Sequence, residues 1–183
     1  MTEAELQRGL DDRFLPFEPE FTGYRLRDGG AREEDFRAYE TELDERLPHQ
    51  FRRWVTSYNF GELAMGPTVF GASGDYLKRV MELNSDIVWW GGGGSRPAHL
   101  LLIANYDPYG ILLNVLSGKV LAMDSEKDWR NATDIADDFD LFVRGIGTAF
   151  LLGSKVNDRD EAARDIVAAV GGDDIAYWRQ LIG

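Results

Sequence analysis

Apolar residues recur at two spacings along this chain, and the switches between them mark its elements. Over residues 100–124 the spacing is that of strands. Residues 100–104 are a continuous apolar run, the pattern of a strand covered on both faces. Ile111, Leu113 and Val115 then fall on one face and Leu112, Asn114 and Leu116 on the other, because successive strand side chains alternate. Residues 119–124 return as a third strand. Two turns separate the three. In Asp107-Pro108-Tyr109-Gly110 a proline at the second position presets φ and a glycine suits the fourth. Ser117-Gly118 is a short hairpin loop whose glycine takes positive φ.

Helical spacing dominates elsewhere. Thr2 and Glu5 stand at capping-box separation, which predicts a helix from Glu3. The prolines of Phe14-Leu15-Pro16-Phe17-Glu18-Pro19 predict an extended arm after it, lying across the body and burying Phe14, Phe17 and Phe21. Phe36, Tyr39, Leu43 and Leu47 repeat at helical intervals up to Pro48. Phe51, Trp54, Val55 and Tyr58 form a second seam, stopped by Asn59-Phe60-Gly61. Val69-Phe70-Gly71 reads as a short strand or turn. Ser73-Gly74-Asp75 opens a helix carrying Tyr76, Leu77, Val80, Met81 and Leu83, which Asn84 and Ser85 end. Residues 86–90 read as a strand or extended loop, and Gly91 to Gly94 as a flexible connection.

Beyond the strands, a helix is predicted over 132–148, with Ile135, Phe139, Phe142, Val143 and Ile146 as its buried stripe. Asp134, Asp137 and Asp138 fall on its other side. Asn157-Asp158 caps a further helix in which Ala162, Ile166, Val167 and Val170 repeat, and Gly171-Gly172 ends it. A last short helix docks by Trp178. These elements predict a single α+β domain whose sheet is built on Leu100 to Met123. Residues 1–30 form the helix and extended arm, 31–149 the core, and 150–183 a C-terminal helical extension packed on that core.

Composition narrows the function classes. Of 183 residues, 44% are hydrophobic and 12% aromatic, enough for a core without staples. The chain has no cysteine, which excludes a disulfide scaffold and Cys-ligated zinc. Its acidic opening, MTEAELQRGLDDRF, lacks the apolar stretch of a signal peptide. No segment has the length of a membrane span, and a cytoplasmic location is expected. The formal net charge of -12 argues against nucleic acid or an anionic membrane as partner. It serves either solubility or the attraction of a basic protein partner by long-range steering.

Few residues invite chemistry. The two histidines, His49 and His99, have no nucleophile elbow to serve and no neighbours at ligand spacing. The run Gly91 to Gly94 is followed by Ser95-Arg96-Pro97, without the Gly-Lys-Ser/Thr of a phosphate loop. No catalytic, cofactor-binding or metal-ligating residue is assigned, and no cofactor. Trp89 and Trp90, adjacent on an extended chain, face opposite ways; buried core is their first reading, and an exposed one of the two is a candidate interface anchor. The remaining partner-binding candidates are Asp107 and Tyr109 in the first turn, Asp124, Glu126 and Asp128 after the third strand, and Asp137 and Asp138 on the helix face. The acidic run lacks an EF-hand pattern. Paired carboxylates for glycoside chemistry remain open, because their separation is not readable from sequence.

The order of these segments resembles that of the SUKH superfamily. Glu40, Leu43 and Leu47-Pro48 leading into Phe51, Trp54 and Asn59-Phe60-Gly61 are similar to its opening helix pair. LLLIANYDPYGILLNVLSGKVLAMDSE resembles its core hairpin, and ATDIADDFDLFVRGI, with Phe139 and Phe142, its closing helix. The resemblance spans residues 33–148. Ile111 stands where a polar or acidic residue commonly follows the core glycine, and Phe60 separates Asn59 from Gly61. The resemblance implies an α+β fold, a mostly antiparallel sheet with helices packed on it, and a binding protein. Many bacterial members are immunity proteins that neutralise toxins, often nucleases or deaminases, and fungal relatives regulate cell-wall glucan synthesis. A non-catalytic module that occludes a secreted nuclease-type toxin is therefore the leading expectation. A cytosolic regulatory scaffold with endogenous partners is the alternative, and a carboxylate-using hydrolase a further one.

Overall fold

Strand-forming and helix-forming segments sort into one antiparallel sheet and seven helices, described by a computed structural model for residues 1–85 and 95–183. The strands lie in chain order: β1 (Ala64–Met65), β2 (Thr68–Val69), β3 (Leu100–Tyr106), β4 (Tyr109–Asn114), β5 (Val120–Asp124) and β6 (Thr133–Ala136). The helices are α1 (Glu3–Phe14), α2 (Glu33–Leu43), α3 (His49–Ser57), α4 (Tyr76–Leu83), α5 (Phe139–Leu152), α6 (Arg159–Val170) and α7 (Ile175–Ile182). The α+β class expected from the sequence is the class adopted.

Alternation along β4 decides the layers. Ile111 and Leu113 join Leu101, Val120 and Ala122 in the main core, which gathers buried residues from Leu6 to Ile182. Leu112 faces the other way and packs with Leu100, Leu102 and Met123. That second face is covered by Leu83, Leu121, Trp129 and Ala132. The central strands are therefore apolar on both sides, as their sequence required.

Each outer strand of the β3–β6 block carries one bulge, and both bulges fall on an isoleucine. Leu102 pairs with Leu112 and Ala104 with Ile111, so Ile103 is the extra residue in β3. Val120 pairs with Ala136 and Leu121 with Asp134, so Ile135 is the extra residue in β6. A bulge leaves backbone groups without ladder partners, and each buried one must find another. The Tyr76 hydroxyl of α4 donates to the Ile103 carbonyl at 2.9 Å. The Trp178 indole N–H of α7 donates to the Ile135 carbonyl at 3.1 Å.

The outer edge of β3 is closed in the same manner. β2 reaches β3 only at the Val69–Asn105 pair. Beyond it, the buried Asn84 side chain stands in for a strand. Its Oδ1 accepts from Leu102 N–H at 2.7 Å, and its Nδ2 donates to the Leu102 carbonyl at 2.8 Å. Arg96 donates to the carbonyls of Asn84 (3.0 Å) and Leu100 (2.9 Å). On the far side, the Asp173 N–H donates to the Asp134 carbonyl and the Asp137 N–H to that of Val170, both at 3.0 Å.

α5 runs through the main core and is notched for its neighbours. A Cβ on Gly145 would stand 2.6 Å from the Trp178 ring, and one on Gly147 would overlap Leu6. The two glycines let α7 and α1 approach α5 where any side chain would hold them off. At the start of α5, Asp140 accepts from Arg53 Nη2 (2.5 Å), Trp54 Nε1 (2.9 Å) and Arg144 Nη1 (2.8 Å). Arg53 also donates to Glu3 of α1 at 2.7 Å. Tyr58 donates its hydroxyl to Glu3 at 2.8 Å, and burial, reinforced by that bond and the Glu3 charge, pushes its pKa up to about 12. One carboxylate thus ties α3 and α5 together, with α1 joined through Arg53.

Several expectations need correction. The first hairpin turns one residue earlier than read: Asp107 and Pro108 are its two loop residues, their peptide is cis, and Gly110 lies inside β4. The helix expected over 132–148 is two elements. Residues 133–136 pair with the outer edge of β5, and Asp138 caps a helix that starts at Phe139. Ile135 reaches the same core as Phe139 from the strand, which imitates a helical interval. α2 ends at Leu43 with Asp44 in the left-handed region, and Leu47 is buried beyond it. The arm is not extended: Leu15–Phe17 and Thr22–Tyr24 are 3-10 turns. Phe14 is half-buried, but Phe17 is 58% and Phe21 39% exposed, because Arg25 draws the coiled arm onto Asp11 and Glu18 with these rings outside. β1 went unread, being two residues long. The expected strand or loop over 86–90 and the glycine run lie outside the described residues.

Asn84→Ala should lower the unfolding free energy by about 2–4 kcal/mol in urea titrations, since it strands two buried backbone groups of Leu102. Phe139→Ala should cost about 3–5 kcal/mol, because Phe139 is fully buried with its ring 4.9 Å from Phe51 and 5.7 Å from Phe60. A loss below about 1 kcal/mol in either case would contradict the role given to that residue.

Candidate functional site

The β3–β4 turn and the end of β5 form one corner of the sheet. Antiparallel pairing sets Tyr109 opposite Asp124, and the Ser125 N–H donates to the Pro108 carbonyl at 2.9 Å, which folds the loop after β5 onto the turn. Asp107, Glu126 and Lys127 are exposed there. The Tyr109 ring sits 5.7 Å from Tyr106 and 5.5 Å from the buried Tyr177. Its hydroxyl donates to Gln180 Oε1 at 3.2 Å. Partial burial raises the Tyr109 pKa, and the charges of Asp174 and Asp124 add to the shift. The corner thus presents acidic groups around an aromatic ring fixed from below.

Asp124 is held ionised. Lys127 Nζ lies 3.0 Å from its Oδ2, and its Oδ1 accepts from the Glu126 N–H at 3.0 Å. The hydrogen bond from Lys127, then that from the Glu126 amide, keep its carboxyl below the usual range. Asp128 serves local structure instead: it caps the 3-10 turn Trp129–Asn131 through the Arg130 N–H (3.0 Å) and pairs with the Arg130 guanidinium at 2.7 Å.

The acidic candidates do not form one surface. Val120 pairs with Ala136, so Asp137 and Asp138 follow the end of β6 that is farthest from Asp124. Four residues of β5 separate the two groups, roughly 14 Å at the strand rise. Asp138 is consumed as the cap of α5, accepting from the Leu141 N–H at 2.8 Å. Asp137 is exposed beside Gly171. Asp134, expected on the same helix face, is in β6 and pairs with Lys119 Nζ at 2.6 Å. The shared face dissolves because its first half is strand. Trp89 and Trp90 lie outside the described residues.

The histidines take modest places. His49 is exposed in the first turn of α3, and His99 sits edge-on to Trp129 with ring centroids 6.3 Å apart. Among the described residues, no group of three or more histidines and carboxylates is placed to hold a metal ion, and no helix is long and apolar enough to cross a membrane.

Two surface features escaped sequence reasoning. One is a groove of about 610 Å³ between α5 and α6, with Leu141, Gly145 and Ile166 among its lining residues and Arg144, Lys155 and Glu161 among its charges. Small residues at Gly145, Ala162 and Ala169 were its only trace in the chain. The other is the exposed aromatic edge of the N-terminal arm. Its signal was legible: Leu15, Phe17 and Phe21 are interleaved with Pro16, Glu18, Pro19 and Glu20, a pattern that a buried segment has no reason to carry.

No protein-family model matches the chain, and no curated protein matches it.

In carboxyl-carbon NMR titrations Asp124 should titrate below its ordinary value of 3.8. Lys127→Ala should move that midpoint upward. An unchanged midpoint would mean that the lysine does not contribute.

Proposed function

We propose that this chain is a non-catalytic protein-binding module of the SUKH type, working in the bacterial cytoplasm as an immunity protein. It occludes a basic, secreted nuclease-type toxin. The observation that carries the reading is the corner built from Asp107, Tyr109, Asp124 and Glu126. Tyr109 and Asp124 are paired on adjacent central strands, and Asp107 and Glu126 sit in the turn and the loop beside them, so the base of the corner is set before a partner arrives. Preset geometry lowers the ordering cost of association. Asp124 keeps its charge across the physiological range, and the net charge of -12 draws a cationic surface toward the chain as a whole. Tyrosine held by packing beneath it supplies contact area at little entropic cost, as interface aromatics do. The resemblance over residues 33–148 supports the same reading.

The product of the gene adjacent to the one encoding this chain, purified in inactive form, is the direct test. A stoichiometric complex is expected at low salt. It should weaken by at least about tenfold as ionic strength rises to about 1 M, where the Debye length shrinks to about 3 Å. The double variant Asp107→Asn, Asp124→Asn should slow association while leaving the fold intact. Absence of any complex at low salt would remove the reading.

A further inference from the structure

The N-terminal arm carries an apolar ridge that the core does not use. Leu15 is 49% exposed, Phe17 58% and Phe21 39%. These rings are not loose. Phe17 meets Phe21 edge-on at 6.0 Å, and Phe21 lies 6.3 Å from Phe14 and 5.9 Å from Tyr24. Phe14 stacks on Phe150 of α5 at 5.4 Å, and Tyr24 lies 5.8 Å from the same ring. Arg13 sits over both Phe14 and Phe150, 5.4 and 5.3 Å from their centroids. Arg25 pairs with Asp11 at 2.7 Å and with Glu18, closing the arm back onto α1. The ridge is therefore a chain of rings anchored at the half-buried Phe150, which packs against the core, and open to solvent at Phe17.

Its position connects it to the acidic corner. Val69 pairs with Asn105, so the antiparallel register carries the Gly66–Pro67 turn toward the same end of the sheet as the Asp107–Pro108 turn. The Phe150 ring lies against Gly66. The foot of the ridge, Phe150, thus lies at the end of the sheet where the corner stands.

We propose that the Leu15–Phe17–Phe21 ridge is the apolar anchor of the partner-binding face, and that its occupant is a cationic protein surface with an apolar recess. The proposal rests on the protein-binding reading above and adds the place where that binding is anchored. Charge selects the occupant. The exposed acids Asp12, Glu18 and Glu20 flank the ridge beside the exposed Arg13, and Asp107 and Glu126 stand at the end of the sheet where its foot lies. A second copy of this chain would bring a like-charged face, and a further net charge of -12, against them. A basic partner meets the acids favourably while its recess covers rings that water now touches. Exposed aromatics near the centre of an interface, ringed by polar groups, are the arrangement in which a few side chains carry most of the affinity.

The test uses the whole chain with the photo-crosslinker p-benzoylphenylalanine placed at position 17, at 107, or at 116, in cells that make the protein. Leu116 is 69% exposed on the β4–β5 turn and serves as a control for general stickiness. A discrete adduct at 17 and at 107, with a protein of pI above about 9, and none at 116, is the expected result. With that partner purified, Phe17→Ala should weaken binding at least about tenfold, the loss that marks an energetic anchor, and Leu116→Ala should not. Phe17 is mostly outside the core, so far-UV circular dichroism should show Phe17→Ala folded.

An adduct at 107 without one at 17 would overturn the ridge and leave the binding reading standing. So would unchanged affinity on Phe17→Ala. An adduct of twice the chain mass at 17 would overturn the choice of occupant. Equal adducts at 17 and 116 would reduce the ridge to a sticky surface. No adduct at any position would remove both the ridge and the reading it rests on.

Discussion

Buried backbone polarity is the constraint on which this architecture turns. A sheet whose central strands are apolar on both faces has no water near its ladder, so each carbonyl and N–H that lacks a strand partner must be met by something else. The need is sharpest at the two bulges. Tyr76 meets it for Ile103 and Trp178 for Ile135, each an aromatic donor on a helix that packs against the strand. Asn84 does the same for both groups of Leu102. The helices are therefore more than a cover for apolar area. They finish the hydrogen bonding of the sheet, and this fixes where α4 and α7 can sit.

Electrostatics adds a second layer. Many of the carboxylates that make this chain acidic are spent on structure. Asp138, Asp158 and Asp174 cap helices, Asp140 joins α3 to α5, and Asp134 holds Lys119. What remains available to a partner is a smaller set, with Asp107 and Glu126 at one end of the sheet and Asp137 at the other. Net charge thus overstates the size of any single acidic face, although it still governs the field felt at long range. A partner approaching from a distance responds to the whole chain, and one in contact responds to a corner.

Much of the fold could be read in the chain because its strongest patterns are local. The capping box of Thr2 and Glu5, the seam of Phe51, Trp54 and Val55, and the alternation of β4 all report their surroundings directly. The failures share a cause: they depend on contacts distant in sequence. Residues 133–136 are a strand because β5 offers them an edge, and nothing within the segment itself forbids a helix. Asn84 ends a helix, as its type suggests, but its larger role depends on a strand eighteen residues later. The candidate site divides along the same line. Asp107, Tyr109 and Asp124 belong together because hairpin register is local, whereas the helix face expected to carry Asp137 and Asp138 does not exist, since both precede α5. The arm departs from expectation for a different reason: Arg25 coils it onto Asp11 and Glu18, so Phe17 and Phe21 face solvent among the acids that mark it as a surface segment.

The notches at Gly145 and Gly147 have an implication for how the native state is reached. Two glycines make α5 an intrinsically poor helix, by roughly 1 kcal/mol for each relative to alanine. Leu6 from one end of the chain and Trp178 from the other fill the gaps that they leave. A nascent chain that has already made the sheet and α5 still lacks the indole that occupies one notch and answers the carbonyl of Ile135. Its central helix stays underfilled until α7 has cleared the ribosome. The core around α5 therefore closes only when α1 and α7, far apart in sequence, have both docked on it.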